Sequence, residues 1–217
     1  TGTATITAKV GEATGSTTVI IVPGPPQSVQ LSFNPTSVGV QASGRNETLI
    51  ITADVKDNKN NPVGDGNLVK FEMVGAYDPN SSISPPGATK YQSTPVPTVN
   101  GAAKVSFHSG TKAGSVRVRA TIVQENGQPV DPPVMSEATQ FIVYSGPAYL
   151  DMNNPNDPFT ESRMTLGGSQ LNIYAGKIGT DDSKATITVA VADRYNNPVP
   201  EGTAVYFSTT GGYVTTG

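Results

Sequence analysis

Apolar and polar residues alternate with a period of two along much of this 217-residue chain. The clearest runs cover residues 4–10, 49–55 and 116–122, where Ala, Val, Ile or Leu occupies every second position. Successive side chains of an extended strand point to opposite faces of a sheet, so each run predicts a strand with one buried face. Clusters of Gly, Pro, Asn and Asp separate the runs. This pattern predicts an all-β fold made of antiparallel β-sandwiches.

An internal repeat indicates how the domains are arranged. Residues 51–71 align without a gap with residues 187–207, at a constant separation of 136 residues (193 minus 57). Repetition at a fixed separation is the signature of a tandem array. The identical pairs include Asp57/Asp193, Asn60/Asn196, Asn61/Asn197, Pro62/Pro198, Val63/Val199, Gly66/Gly202, Val69/Val205 and Phe71/Phe207.

A second repeat relates the start of the chain to a later region. Residues 113–122 resemble residues 1–10, and residues 138–143 resemble residues 17–22. A Gly-Pro pair follows each copy within a few residues. The first copy therefore has the sequence of the last two strands of a domain.

Together the two repeats predict one complete immunoglobulin-like domain flanked by two partial ones. Proline in both linkers removes backbone donors and stiffens the connection. The predicted parts are the last two strands of a preceding domain (1–22), a linker (23–26), the complete domain (27–144), a linker (145–147) and the first four or five strands of a following domain (148–217).

The repeated segments resemble bacterial immunoglobulin-like (Big) domains of the invasin and intimin group. The resemblance covers essentially the whole chain. The residues that carry it are Asp57, Asn61-Pro62-Val63, Val69-Lys70-Phe71, Asn100 to Val105 and Gly114 to Ala120, with Asp193, Asn197 to Thr203 and Phe207 in the partial third unit.

This resemblance implies rod-like stalks on a bacterial cell surface or outside the cell, which present an adhesive tip. It also implies a structural role in cell adhesion and no enzymatic activity. The chain departs from the family pattern by insertions at about 75–98, 123–135 and 153–168. Two roles are open for these insertions, namely decoration of the sandwich or binding of a ligand. Export would require a leader outside these 217 residues.

The repeated motif around Asp57 has a physical explanation. A strand ends at this residue, whose carboxylate can accept amide hydrogen bonds within a turn. The asparagines that follow tolerate a left-handed backbone, and Pro62 restarts an extended segment. We expect Val69 and Phe71 to be buried on the core face of the next strand.

Composition excludes several functional classes. The net charge is −3 with no cluster of Lys and Arg, which argues against binding to nucleic acid. No apolar run approaches the ~20 residues needed to cross a bilayer as a helix. The chain has no cysteine, so neither disulfides nor thiolate metal sites stabilise it.

Catalytic chemistry has little support in the sequence. The single histidine, His108, alternates with Val105 and Phe107, so we expect it to lie on the solvent face of a strand. A catalytic base needs a nucleophile and an orienting group nearby, and no such set is evident. We therefore predict that the protein is not an enzyme and has no cofactor.

The segment just after the second linker is rich in oxygen donors. Asp151, Asn153, Asn154 and Asp157 lie close together in the sequence, and oxygen-rich loops can bind Ca²⁺. Their spacing does not match the EF-hand loop. Two interpretations are open, a calcium site or a polar loop rich in turns.

A carbohydrate- or protein-binding module is the alternative function. Tryptophan is absent, so a stacking platform for sugars would depend on tyrosine. Tyr77 and Tyr91 fall in the insertion at 75–98. A host protein or a carbohydrate would then be the partner.

Strand complementation between molecules is the remaining prediction. Strands within residues 1–22 would fill the sandwich begun by residues 148–217 of another copy, a head-to-tail contact that builds a filament or a ring. Other copies or neighbouring repeats are then the partners. The apolar residues expected at this interface are Ala4, Ile6, Ala8, Val10, Val19, Ile21, Ile187, Val189, Val191, Val205 and Phe207.

Overall fold

A computed structural model describes residues 2–86, 95–149, 164–170, 172–173 and 183–215. The chain divides into two compact units, Thr1–Tyr144 and Ser145–Gly217. In chain order the strands are β1 (Gly2–Val10), β2 (Ala13–Ile21), β3 (Ser28–Asn34), β4 (Ser37–Gly39), β5 (Thr48–Lys56), β6 (Leu68–Val74), β7 (Ser82–Ser84), β8 (Val96–Pro97), β9 (Ala102–His108), β10 (Gly114–Val123), β11 (Thr139–Tyr144), β12 (Met164–Gly168) and β13 (Ile187–Val191).

The first unit contains a β-sandwich made of two sheets. One sheet has the order β3-β5-β9-β7 and is antiparallel throughout. The other has the order β4-β11-β10-β6-β8, in which only the β4–β11 pair is parallel. This arrangement confirms the expected all-β, immunoglobulin-like fold.

Alternation along the central strands places one apolar face of each sheet in the core. Every second residue of β5 from Leu49 to Val55 is buried, and so is every second residue of β10 from Val116 to Ile122. Phe107 of β9 packs edge-on against Phe141 of β11, with 4.7 Å between the ring centroids. Aromatic pairs in this geometry join the two sheets and add to the free energy gained by burial.

The predicted insertions are partly built into the sandwich. The segment 75–98 contributes β7 and β8, which pair with β9 and β6 respectively. The segment 123–135 runs along β10 through a bridge between Thr121 and Met135, and Val134 is buried. The described parts of both insertions therefore extend the two sheets.

Residues 2–21 form a separate two-stranded hairpin in the same unit. β1 pairs antiparallel with β2 over their whole length, from Gly2 opposite Ile21 to Val10 opposite Ala13. The turn consists of Gly11 and Glu12, and Gly11 has a φ of 58°. Glycine adopts this left-handed backbone without a steric penalty, which explains why the tight turn forms here.

The second unit contains the hairpin-like pair β12–β13, which runs from Met164 opposite Val191 to Gly168 opposite Ile187. β12 falls at the end of the segment 153–168, one of the predicted insertions. Of the four or five strands expected in 148–217, the described residues contain these two. The segment 203–209 carries no strand assignment, although its sequence matches that of β6.

Candidate functional site

The turn after β5 is organised by the carboxylate of Asp57. Its Oδ1 accepts hydrogen bonds from the backbone amides of Lys59 and Asn61, each of 2.9 Å. The side-chain amide of Asn61 donates to both carboxylate oxygens, at 3.2 and 3.1 Å. Asn60 has a φ of 64°, the left-handed conformation expected from the sequence. The prediction that Asp57 accepts local amide bonds is confirmed.

The same carboxylate also holds the linker. The backbone amide of Gly24 donates to Oδ2 of Asp57 at 2.9 Å, across 33 residues of sequence. Three residues further on, the amide of Gln27 donates to the carbonyl of Lys56 at 2.8 Å. The chain is therefore fixed to the end of β5 before β3 begins. We call the set Gly24, Asp57 and Asn61 the linker clamp.

Hydrogen bonding lowers the pKa of Asp57 well below its ordinary range. The bond from the Gly24 amide is the largest cause; burial opposes it, and the bonds from Asn61 and Lys59 lower the pKa further. The side chain is only 6% exposed. Amides that point at a carboxylate favour its ionised form, so the clamp keeps its charge far into the acid range.

The second unit repeats the linker clamp atom for atom. Gly146 donates to Oδ2 of Asp193 at 2.9 Å, and the amides of Tyr195 and Asn197 donate to Oδ1 at 2.9 Å each. The side-chain amide of Asn197 donates to both oxygens, at 3.1 and 2.8 Å. Asp193 is 1% exposed. The internal sequence repeat thus corresponds to a repeated arrangement of hydrogen bonds.

An additional contact reinforces the second clamp. The guanidinium of Arg194 lies 5.0 Å from the ring centroid of Tyr149, which follows the linker, and 5.8 Å from that of Tyr195. The amide of Tyr149 donates to the carbonyl of Ala192 at 3.2 Å, as Gln27 does to Lys56 in the first unit. A cation at this distance is attracted to the face of the ring.

These carboxylates have a structural role and their oxygens are occupied by amide donors. Each oxygen of both aspartates accepts at least two N–H groups, which leaves little capacity for a cation. In the ranges that the structure describes, no group of three or more His, Asp or Glu side chains is arranged to hold a metal ion. The clamp can therefore bind backbone and fix its path.

A third buried carboxylate, Asp78, fixes the loop between β9 and β10. Its oxygens accept hydrogen bonds from the amides of Asn80, Thr111 and Lys112. Burial raises the pKa of Asp78, but these bonds outweigh burial and the net shift is downward. Gly110 is required beside it, because an added Cβ would lie 2.3 Å from Oδ2 of Asp78. Sequence reasoning did not identify this aspartate.

The hairpin β1–β2 collects six predicted interface residues on one face. Its register places Ala4 opposite Val19, Ile6 opposite Thr17 and Gly2 opposite Ile21. Ala8 and Val10 follow on the same face. Ile6 is 57% exposed and Ile21 is 55% exposed. We call this apolar surface of Ala4, Ile6, Ala8, Val10, Val19 and Ile21 the hairpin face.

The predicted interface residues of the second unit fall in two places. Ile187, Val189 and Val191 share one face of β13, which Met164 and Leu166 of β12 extend through their cross-strand pairing. The segment 203–209 holds the other two: Val205 is 37% exposed and Phe207 is 44% exposed, whereas the equivalent Val69 and Phe71 are almost fully buried in β6.

The structure gives less information about the remaining candidate residues. The calcium candidates Asp151, Asn153, Asn154 and Asp157 lie outside the described residues, and so does Tyr91. Tyr77 is exposed. His108 lies on the face of β9 opposite the buried Val105 and Phe107, as expected, and it is half-buried there with its Nε2 3.2 Å from Oγ of Ser84. Ser82 of the edge strand β7 pairs with His108 in the sheet.

The clamp's linker residues, Gly24 and Gly146, are the main functional positions that the sequence did not reveal. A Gly-Pro pair at each predicted linker was the available signal. The sequence does not reveal that Asp57 is the acceptor, because a hydrogen bond between residues 33 positions apart leaves no local sequence pattern.

No helix among the described residues combines the length and the apolar character that spanning a bilayer requires.

Comparison with known proteins identifies the fold. No protein-family model matches the chain, and no curated protein matches it. The Escherichia coli adhesin FdeC has a similar structure, with a TM-score of 0.55 and 18% sequence identity over 92% of this chain and 53% of that chain. The chain thus spans about half the length of FdeC. At this identity the likeness shows a shared immunoglobulin-like fold.

Two weaker likenesses have TM-scores below 0.5. Yersinia pseudotuberculosis InvD gives 0.49 at 18% identity, over 91% of this chain and 52% of that chain. A glycosyl hydrolase family 2 member from Bacteroides cellulosilyticus gives 0.37 at 18% identity, over 65% of this chain and 17% of that chain. Scores this low carry no argument about fold or function.

Proposed function

We propose that this chain is a structural stalk repeat of a bacterial cell-surface or extracellular adhesin-like protein. In this proposal it performs no catalysis, and its copies join head to tail by strand complementation. The observation that carries the proposal is the linker clamp, present in the same form in both units. A repeat that ties its own entry segment to its first sheet suits a tandem array, because every unit then receives the chain along the same path.

The immunoglobulin-like fold shared with FdeC, an E. coli adhesin, supports the adhesin-like role. The complete sandwich supports a structural role as well. Its buried carboxylates, Asp57 and Asp78, are surrounded by backbone amides and hold loops together, which leaves them unsuited to acid–base chemistry.

The hairpin face supports strand complementation. Exposed β-branched residues on one side of a two-stranded hairpin gain about 25 cal/mol for each Å² that a partner covers. A two-stranded hairpin is marginally stable by itself, so a covering sheet would also stabilise its own pairing. The face β12–β13, with Met164, Leu166 and Ile187 exposed, offers an apolar surface of the same kind.

Light scattering across a range of concentrations tests the assembly. We expect the average mass of the 217-residue chain to grow with concentration. The substitution Ile6→Asp on the hairpin face should stop that growth, and its matched control is Thr5→Asp on the opposite face of β1. Equal behaviour of the two variants would contradict complementation through the hairpin face.

A bead assay separates the stalk role from the alternative binding role. Tyr77 is 47% exposed at the edge of the segment 75–98, which keeps a binding module as the second candidate. Beads coated with a stalk repeat should not adhere to host cells or to immobilised glycans. Adhesion that Tyr77→Ala abolishes and Tyr144→Ala leaves intact would favour the binding module instead.

A further inference from the structure

The dipeptide Asn-Gly occurs twice in the chain, as Asn100-Gly101 and as Asn126-Gly127. Both copies lie in turns of the complete sandwich, and both glycines have a φ of 78°. In such a dipeptide the backbone nitrogen of the glycine can attack the side-chain amide carbon of the asparagine, because glycine has no Cβ to hinder the approach. The chemistry of the two sites is the same, so their surroundings decide which of them reacts.

The turn at Asn100 is held by contacts with other parts of the sandwich. The amide of Asn100 donates a 2.7 Å hydrogen bond to Oδ1 of Asp65. The carbonyl of Gly101 accepts a 2.8 Å bond from the amide of Val55. Gly101 is buried, and it packs so closely on Pro62 that an added Cβ would lie 2.5 Å from Cβ of that proline. The attack requires the peptide between the two turn residues to rotate towards the side chain, and rotation would disrupt these contacts.

The turn at Asn126 is closed by hydrogen bonds within the turn itself. Residues 124–129 are exposed, and among the described residues no atom apart from the chain neighbours lies within 4 Å of a Cβ built on Gly127. The amide of Gly127 donates to the carbonyl of Gln124 at 2.9 Å, and the amide of Gln124 donates to the carbonyl of Gln128 at 2.8 Å. Rotation of the peptide between Asn126 and Gly127 breaks the first of these bonds, and water can replace that partner.

The side chain of Asn126 is placed in a way that favours the attack. Its Oδ1 accepts a 2.9 Å hydrogen bond from the amide of Gln128, two residues further on. This bond forms an Asx turn, which directs the side-chain carbonyl forward along the chain. Attack on the side-chain carbon moves negative charge onto Oδ1, and an N–H donor at that oxygen stabilises the charge as it develops. The amide of Gln128 thus promotes reaction at Asn126.

We infer that Asn126 is a site of spontaneous deamidation, at which the side chain forms a cyclic imide with Gly127, and that the fold protects Asn100 from the same reaction. The bond from the Gln128 amide to Oδ1 supports reaction at the first site. The bond from the Asn100 amide to Asp65 supports protection at the second. This inference goes beyond the proposed stalk function and does not depend on it.

Water is the only reactant that the modification needs besides the protein. Hydroxide removes the proton of the Gly127 amide, and the nitrogen attacks Cγ of Asn126. The new N–Cγ bond closes the imide ring, the bond from Cγ to Nδ2 breaks, and ammonia leaves after taking a proton from water. A water molecule then adds to one of the two imide carbonyls. Opening at Cγ gives an ordinary aspartate, and opening at the main-chain carbon gives an isoaspartate, in which the chain continues through the former side chain.

Deamidation at this site changes the surface and leaves the sandwich folded. Each converted chain gains one negative charge next to Glu125, which takes the net charge from −3 to −4 (−3 minus 1). The bonds that attach the segment 123–135 to β10 lie outside the reacting peptide, among them the 2.9 Å bond from the amide of Ile122 to the carbonyl of Val134. The modified turn therefore stays anchored and carries an altered charge.

Peptide mass spectrometry of the 217-residue chain measures both sites in one experiment. The folded chain is incubated in mildly alkaline buffer and then digested at acidic pH, where the reaction is slow, and the fraction of each asparagine converted to the acid is followed with time. We expect Asn100 to convert at least about tenfold more slowly than Asn126, because its turn must open before it reacts. The same chain in concentrated urea is the control, and there the two rates should become similar.

Two variants separate reaction at Asn126 from protection at Asn100. Asn126→Gln keeps an amide, but its attack has to close a larger ring, so conversion at this position should be lost. Asp65→Ala removes the acceptor of the Asn100 amide and should speed conversion of Asn100 several-fold, while the rate at Asn126 stays unchanged.

Three results would contradict this inference. If Asn126 stays intact in the folded chain over a period in which the urea-unfolded chain converts, the modification site is wrong. Equal rates at the two sites in the folded chain would overturn the protection of Asn100. An Asp65→Ala chain in which Asn100 converts no faster would show that the bond to Asp65 does not hold that turn closed.

Discussion

The amide of Gly24 donates a 2.9 Å hydrogen bond to the carboxylate of Asp57, and the two residues belong to a linker and to the end of a core strand. The equivalent bond joins Gly146 to Asp193 in the second unit. The carboxylate therefore serves two purposes. It shapes its own turn through the amides of Lys59 and Asn61, and it fixes the segment that enters the sandwich. Its identity as Asp, rather than Asn or Ser, follows from the number of donors it must accept.

Replacing Asp57 with Asn should free the linker. An asparagine side chain places an NH₂ group where the carboxylate accepted N–H donors, so at least one donor loses its partner. We expect a lower melting temperature and faster hydrogen exchange at the Gly24 amide. Asp54→Asn, on the solvent face of β5, changes the same charge and should leave that amide protected. Unchanged exchange at Gly24 in the Asp57 variant would contradict the clamp.

Acid should destabilise the first unit through the same group. Hydrogen bonds from the Gly24 amide and its neighbours lower the folded-state pKa of Asp57 below the ordinary aspartate value of 3.8. A carboxyl group with a depressed folded pKa contributes stability that is complete above its unfolded pKa and is lost as pH falls towards the folded value. The free energy of unfolding should therefore decrease below about pH 4.

Urea denaturation at a series of pH values measures this effect. The Asp57→Asn variant should show a shallower decrease below pH 4 than the wild type, because part of the proton linkage is gone. Asp78, whose pKa is also lowered, accounts for a share of what remains. Parallel curves for wild type and Asp57→Asn would show that the linker clamp does not contribute to the acid response.

Sequence predicted the core of the sandwich well because its central strands are long. β5 and β10 have nine and ten residues, which is enough to display the period-two pattern, and the inward residues of both are buried. β7 and β8 have three and two residues, which is too short to display a period, so the alternation does not predict either strand within the segment 75–98.

The hairpin illustrates a second limit of pattern reasoning. Residues 19–22 are all apolar, so alternation alone does not determine which of them share a face with Ile6. The two-residue turn at Gly11 fixes the register and places Val19 and Ile21 on that face. The clamp illustrates a third limit, because the Gly24–Asp57 bond depends on how the fold returns the linker to β5.

Gly101 should be difficult to replace, because it packs against the turn that follows β5. It has a φ of 78°, and an added Cβ would lie 2.5 Å from Cβ of Pro62. Gly127 has the same φ of 78° but no atom within 4 Å of the added Cβ, which makes it a matched control. Gly127→Ala should cost about 1 kcal/mol for the left-handed backbone. Gly101→Ala should cost about 3 kcal/mol, because a clash in a packed site is added.

Equilibrium urea denaturation of both variants measures this difference. The difference in the free energy of unfolding between the two variants measures the cost of the clash, since both variants carry the same backbone penalty. Equal destabilisation would mean that Pro62 moves away at little cost, and that the close packing of the motif against Gly101 does not stabilise the turn.

Phe71 and Phe207 occupy equivalent positions of the sequence repeat. Replacing each of them tests whether the two side chains contribute equally to the free energy of unfolding of their units. Phe71 is 1% exposed in the core of the complete sandwich, whereas Phe207 is 44% exposed. Phe71→Ala should therefore lower the free energy of unfolding of the first unit by about 3–5 kcal/mol, as expected for a phenylalanine removed from a packed core. Phe207→Ala should change that transition by less than about 0.5 kcal/mol in dilute solution.

The dependence of thermal unfolding on protein concentration tests whether copies of the chain associate. When copies associate through the hairpin face, Phe207 becomes buried, and the stability of the second unit then includes the free energy of association. Calorimetry of the wild-type chain should show a transition whose midpoint rises with protein concentration, and Phe207→Ala should remove that rise while leaving the first unit's transition in place. A midpoint independent of concentration in the wild type would mean that Phe207 stays exposed and that the second unit does not receive the hairpin of another copy.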